Sequence, residues 1–106
     1  MSRIDSPSKR YPGYVILPDD LTFPQVLAWE DATLEAGKTP GSFHKVHAYI
    51  PGVLVCVQEW HIDGFPEPLT ADNFPWKPPA AVIGLMSKII AGVTDLIYEA
   101  DEEKNA

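Results

Sequence analysis

Residues 60–79 read W-H-I-D-G-F-P-E-P-L-T-A-D-N-F-P-W-K-P-P and hold five of the chain's eleven prolines and two of its three tryptophans. Each proline fixes φ, removes a backbone donor and pushes the residue before it toward extended geometry. No single helix or central strand can run through such a segment. It must be a turn-rich connector, with Trp60, Phe74 and Trp76 as the large side chains that anchor it. It separates two apolar segments and sets how the second closes on the first.

At 106 residues the chain has the length of one domain. We place that domain at residues 13–101, after a flexible N-terminal arm (residues 1–12) and before an acidic C-terminal tail (residues 102–106). The apolar fraction of 45% argues against wholesale disorder. A net charge of −7, with only eight scattered Lys and Arg, lacks the basic footprint that nucleic acid or an anionic membrane requires. The acidity serves solubility, or it meets a basic protein partner. Cys56 is the only cysteine, so no internal disulfide forms, which fits a reducing cytosol. The first ten residues are polar and unlike a signal peptide. No apolar run approaches the ~20 residues needed to span a bilayer, so no membrane partner is expected.

The element pattern predicts a mainly α fold: a small helical domain of three to four helices with a short N-terminal strand and the proline-rich connector. The strand is G-Y-V-I-L over residues 13–17, placed at an edge. A helix over residues 23–36 follows. Thr22 and Gln25 have the capping-box spacing, Pro24 lies in the first turn, and Gly37 supplies a left-handed cap. Phe23, Val26, Leu27, Trp29 and Leu34 are its apolar positions, and Glu30, Asp31 and Glu35 face water. Pro51-Gly52 breaks the next segment. Val53, Cys56, Val57 and Trp60 then fall at helical spacing, favouring helix over strand for residues 53–60. Thr70 can cap a single helical turn in the connector.

The clearest element is a closing helix over residues 79–101, where Leu85, Ile89, Val93 and Leu96 lie on one apolar face. Ile83 and Ile90 widen that face, which is either core or partner surface and is compatible with homo-oligomerisation. Gly84 and Gly92 within it point to a close approach of another segment.

Catalytic chemistry is not expected. His44 and His47 share a helical face, with Cys56, Glu59 and His61 nearby in sequence, but no repeated Cys or His pair completes a metal-ligand set. Cys56 sits among valines without a paired base. Asp19, Asp20, Asp63 and Asp72 are isolated carboxylates. Neither a phosphate-binding glycine loop nor a G-x-S-x-G motif is present, so no cofactor is expected.

Over residues 53–100 the pattern resembles the tail assembly chaperones of long-tailed bacteriophages. The matching residues are Glu59-Trp60, Ile62-Asp63-Gly64, Glu67-Pro68-Leu69-Thr70, Asp72, Phe74-Pro75 and the helix bearing Leu85, Ile89, Val93 and Leu96. The G-Y-V-I-L-P and L-T-F runs are similar to the N-terminal strand and first helix of that family. The turn departs from the usual pattern, with His61-Ile62-Asp63 where two or more acids precede the glycine, and residues 74–79 are atypical. The resemblance implies a non-enzymatic chaperone in the host cytoplasm. It would bind the tape-measure protein and help recruit tail-tube subunits. Leu85, Ile89, Val93 and Leu96 would serve packing or partner contact, and Trp60, Phe74 and Trp76 would anchor the connector. Two other readings fit a small acidic chain of this type: an inhibitor of a host defence protein, and a structural subunit of a virion assembly.

Overall fold

The computed structural model describes residues 2–105, with side chains placed for residues 2–98. Its elements in chain order are β1 (Ser2–Asp5), β2 (Gly13–Leu17), α1 (Phe23–Lys38), α2 (Ser42–Ala48), α3 (Ile50–Cys56), β3 (Glu59–Ile62) and α4 (Pro79–Asn105). The four helices are accompanied by a three-stranded antiparallel sheet of order β1-β2-β3. The architecture is therefore mixed α/β, which corrects the expectation of a mainly α domain.

Two of the three strands replace other expectations. Residues 2–5 belong to β1 rather than to a flexible arm. Ile4 pairs with Val15 across the sheet, and Arg3 and Asp5 pair with Ile16 and Tyr14. The strand escapes a hydrophobicity pattern because it has one apolar side chain between two charged ones. On the outer face the Arg3 guanidinium lies 4.0 Å from the centre of the Tyr14 ring and 2.8 Å from Asp5. The chain back to β2 is held by serine hydroxyls: the Ser8 amide donates to Ser6 Oγ, and the Arg10 and Tyr11 amides donate to Ser8 Oγ. With β1 in place, β2 is the central strand and not an edge.

The segment over residues 53–60 is helix only to Cys56, where Val57 turns extended. The Gln58 amide then donates to Ile16 at 2.9 Å, and Trp60 pairs with Val15. Sheet pairing outcompetes the helical face that Trp60 would have completed.

α1 begins as expected. The Gln25 amide donates to Thr22 Oγ1, and the Thr22 amide donates to Gln25 Oε1. Its end differs. Gly37 is not in the left-handed region; the helix continues to Lys38, and Thr39 closes it by donating from its amide to Ala36 and from its hydroxyl to Glu35. α4 runs to Asn105, so residues 102–105 continue a helix rather than forming a separate tail; Ala106 lies outside the described residues.

The core lies between the inner sheet face and α4. Val15 and Leu17 of β2 and Ile62 of β3 meet Val82, Leu85, Met86, Ile89 and Val93. Gly92 permits this approach: a Cβ there would lie 2.4 Å from Ile4 Cδ1 and 3.2 Å from Leu17 Cδ1. Against the expectation of no membrane-length run, Pro79–Tyr98 is long and apolar enough by composition, with mean hydropathy 1.8. Of that stretch, Val82, Leu85, Met86, Ile89 and Val93 are buried against the sheet.

Candidate partner-docking surface

Leu85, Ile89 and Val93 are fully buried, so they pack the interior and no partner reaches them in this fold. Leu96, one turn further, is partly exposed.

The connector residues come together as an aromatic cluster. Phe74 is buried, and its ring lies 6.2 Å from Trp60, 5.5 Å from Phe65 and 5.6 Å from Trp76. Tyr11 meets Phe65 edge-on at 5.1 Å, and its hydroxyl donates to the carbonyl of Lys77. Trp76 faces the His47 ring at 5.5 Å. The single helical turn expected near Thr70 is a turn of another kind, closed by reciprocal bonds between Thr70 and Asn73. The connector thus bridges the β1–β2 loop, β3 and α2.

The residues weighed for chemistry are dispersed. His61 pairs with Glu59 at 3.0 Å on the outer sheet face. His44 and His47 line a groove of about 260 Å³ with Phe43 and Trp76. Cys56 is fully buried, and its thiol donates to the Gln25 carbonyl at 3.6 Å. Among the described residues, no group of three His, Cys, Asp or Glu could hold a metal ion.

Burial pushes the Cys56 thiol up to about 11. The folded state thus favours the neutral thiol, whereas the unfolded chain ionises near 9.0. This contribution to stability is complete below pH 9.0 and is lost as pH rises toward about 11. A disulfide reagent at pH 8 is expected to label Cys56 only at the rate of unfolding. Full labelling within seconds under native conditions would contradict its burial.

The sequence pattern missed the exposed side of α1. Its buried residues are Trp29, Ala32 and Ala36. Ala32 and the facing Gly52 let α3 approach closely beside the Trp29 ring: a Cβ on Gly52 would lie 3.0 Å from both Ala32 Cβ and Trp29 Cε3. The larger residues are consequently turned outward, with Phe23, Leu27 and Leu34 being 73%, 45% and 58% exposed. At about 100° per residue, these three fall within about 40° of one another and form a line roughly 16 Å long. A groove of about 90 Å³ lies on one side, lined by Val26, Glu30 and Thr33 with Ile97 and Tyr98 of α4. On the other side is a groove of about 360 Å³, lined by Asp31 and Glu35 with Pro51 and the exposed Val55 of α3. An Ala28/Ala32/Ala36 ladder at four-residue spacing, opposite a glycine, was the available signal that the small face is the packed one. Comparison with protein families, curated sequences and solved structures gave no match for this chain.

Proposed function

We propose that the chain is a non-enzymatic protein-binding domain acting as a phage tail assembly chaperone. In this reading it holds the tape-measure protein in the host cytoplasm and helps to recruit tail-tube subunits. The observation that carries the binding role is the exposed line Phe23, Leu27 and Leu34 on α1. Aligned large apolar side chains left in water mark interaction surfaces. Covering each contributes about 1.5–3 kcal/mol at full burial. The choice of partner follows the resemblance over residues 53–100. The net charge of −7 suits a chaperone that keeps an apolar client in solution.

A chaperone gene of this kind is expected to lie directly before a long helical reading frame, and the test is co-expression of the chain with the protein that frame encodes; absence of such a frame would overturn the reading. The native chain is expected to bring most of that protein into the soluble fraction, and Phe23→Asp/Leu34→Asp to bring little. Both sites are exposed, so the double variant keeps its fold, which circular dichroism checks. Equal recovery with and without the native chain would overturn the chaperone reading. Recovery of the chain in purified particles would instead mark a structural subunit. Tight, steeply salt-dependent binding to a host defence enzyme would mark an inhibitor.

A further inference from the structure

Resting on the reading of α1 as a docking face, we infer that its occupant is a basic amphipathic helix. Charge complementarity carries the inference. The apolar line is flanked by carboxylates on both sides, with Glu30 in one groove and Asp31 and Glu35 in the other. All three are exposed. Among the described residues, none of the three carboxylates has an ion-pair partner, and the one basic residue of α1 is Lys38 in its last turn.

An occupant must therefore present an apolar centre with cations along both margins. A helix does so naturally: apolar residues at i, i+4, i+7 and i+11 form the centre, and the intervening positions place Lys or Arg to either side. An extended segment is disfavoured, because the exposed surface of a helix offers no open backbone ladder for a strand to join. A second copy of the chain meets the same carboxylates and is repelled. The roughly 16 Å line matches about three turns of a docked helix. Glu30, Asp31 and Glu35 then select among helical partners, and Phe23, Leu27 and Leu34 supply the apolar contact.

The experiment measures fluorescence anisotropy of two labelled helical peptides of about four turns against the full chain. The peptides share one leucine stripe; one carries Lys at all flanking positions and the other Glu. The Lys peptide is expected to bind about tenfold or more tightly than the Glu peptide. That preference should shrink as ionic strength rises from about 0.1 M to about 1 M, where the Debye length falls from about 10 to about 3 Å. Glu30→Lys/Asp31→Lys/Glu35→Lys should reverse it, and Phe23→Ser/Leu34→Ser should weaken both peptides. Equal binding of the two peptides, lost in the Phe23/Leu34 variant, would overturn the charge assignment while leaving α1 as the docking face. Preference for the Lys peptide that survives the Phe23/Leu34 variant would overturn both. Failure of the Lys peptide to bind would overturn the basic-helix inference, with the co-expression result deciding the docking face separately.

Discussion

Phe74→Ala is expected to destabilise the domain by about 3–5 kcal/mol, the usual cost of deleting a buried phenylalanine ring. The ring is 5% exposed and touches Trp60, Phe65 and Trp76. These partners belong to different parts of the chain. Trp60 is in β3, Phe65 follows the turn at Gly64 and meets Tyr11 edge-on, and Trp76 reaches α2 through His47. The cavity cannot refill from one side, because each neighbour is held by its own contacts. A domain of this size has about 5–15 kcal/mol in total, so the loss leaves it marginal. Urea unfolding monitored by tryptophan fluorescence measures the effect, with Trp60 and Trp76 both reporting on the site. A loss below about 1 kcal/mol, smaller than a typical core truncation, would mean that the cluster covers the domain without holding it. If folding survived and a single binding event disappeared, the connector itself would be a binding site.

The connector was legible in sequence because proline acts locally. Five prolines exclude regular structure whatever surrounds them, and the large aromatics among them had to be buried somewhere. The start of α1 was legible for the same reason, since Thr22 and Gln25 satisfy orphan amides within one turn. The sheet was not. β1 has Ile4 as its one inward apolar residue, and its pairing depends on β2 and on the space left by Gly92, neither of which is local. Residues 57–60 likewise continue a helical pattern on their own, yet Val57 turns extended, Gln58 donates to the Ile16 carbonyl and β3 begins at Glu59. The docking face was missed. The pattern grouped Phe23, Leu27 and Leu34 with Trp29 as apolar positions without dividing them between faces, whereas the close crossing with α3 at Gly52 favours alanines at the contact. The closing helix gave the opposite outcome: its periodicity located the inward face, and Leu85, Ile89 and Val93 lie too deep to serve a partner.

Gly13→Ala is expected to be at least as damaging as Phe74→Ala, for a reason rooted in the backbone. Gly13 has φ +131°, a conformation that L side chains rarely adopt. A Cβ at this position would lie 1.9 Å from the carbonyl oxygen of His61 and 3.0 Å from Ile62 Cα. Those are main-chain atoms of β3, so no rotamer change relieves the contact and the strand itself must move. Gly13 also sits where the β1–β2 hairpin and the β2–β3 pairing end together. Its carbonyl accepts the Ser6 amide at 2.9 Å, and the neighbouring Pro12 carbonyl accepts the Asp63 amide at 2.9 Å. Displacing β3 here loosens the Gly13–Ile62 pairing and the Tyr11 and Phe65 rings beside it. Strain of about 1–3 kcal/mol for the backbone conformation adds to the cost of separating the strands, so a total above about 4 kcal/mol is expected. At about 4–8 °C per kcal/mol, the melting temperature should fall by roughly 15–30 °C. Gly37→Ala provides the internal comparison. That glycine is helical, exposed and has nothing within 4 Å of an added Cβ, so alanine should stabilise by about 0.5–1 kcal/mol. If Gly13→Ala melted within a few degrees of the native chain, the tight crossing of β2 and β3 at this end would be wrong. The placement of the connector that follows β3 would have to be redrawn with it.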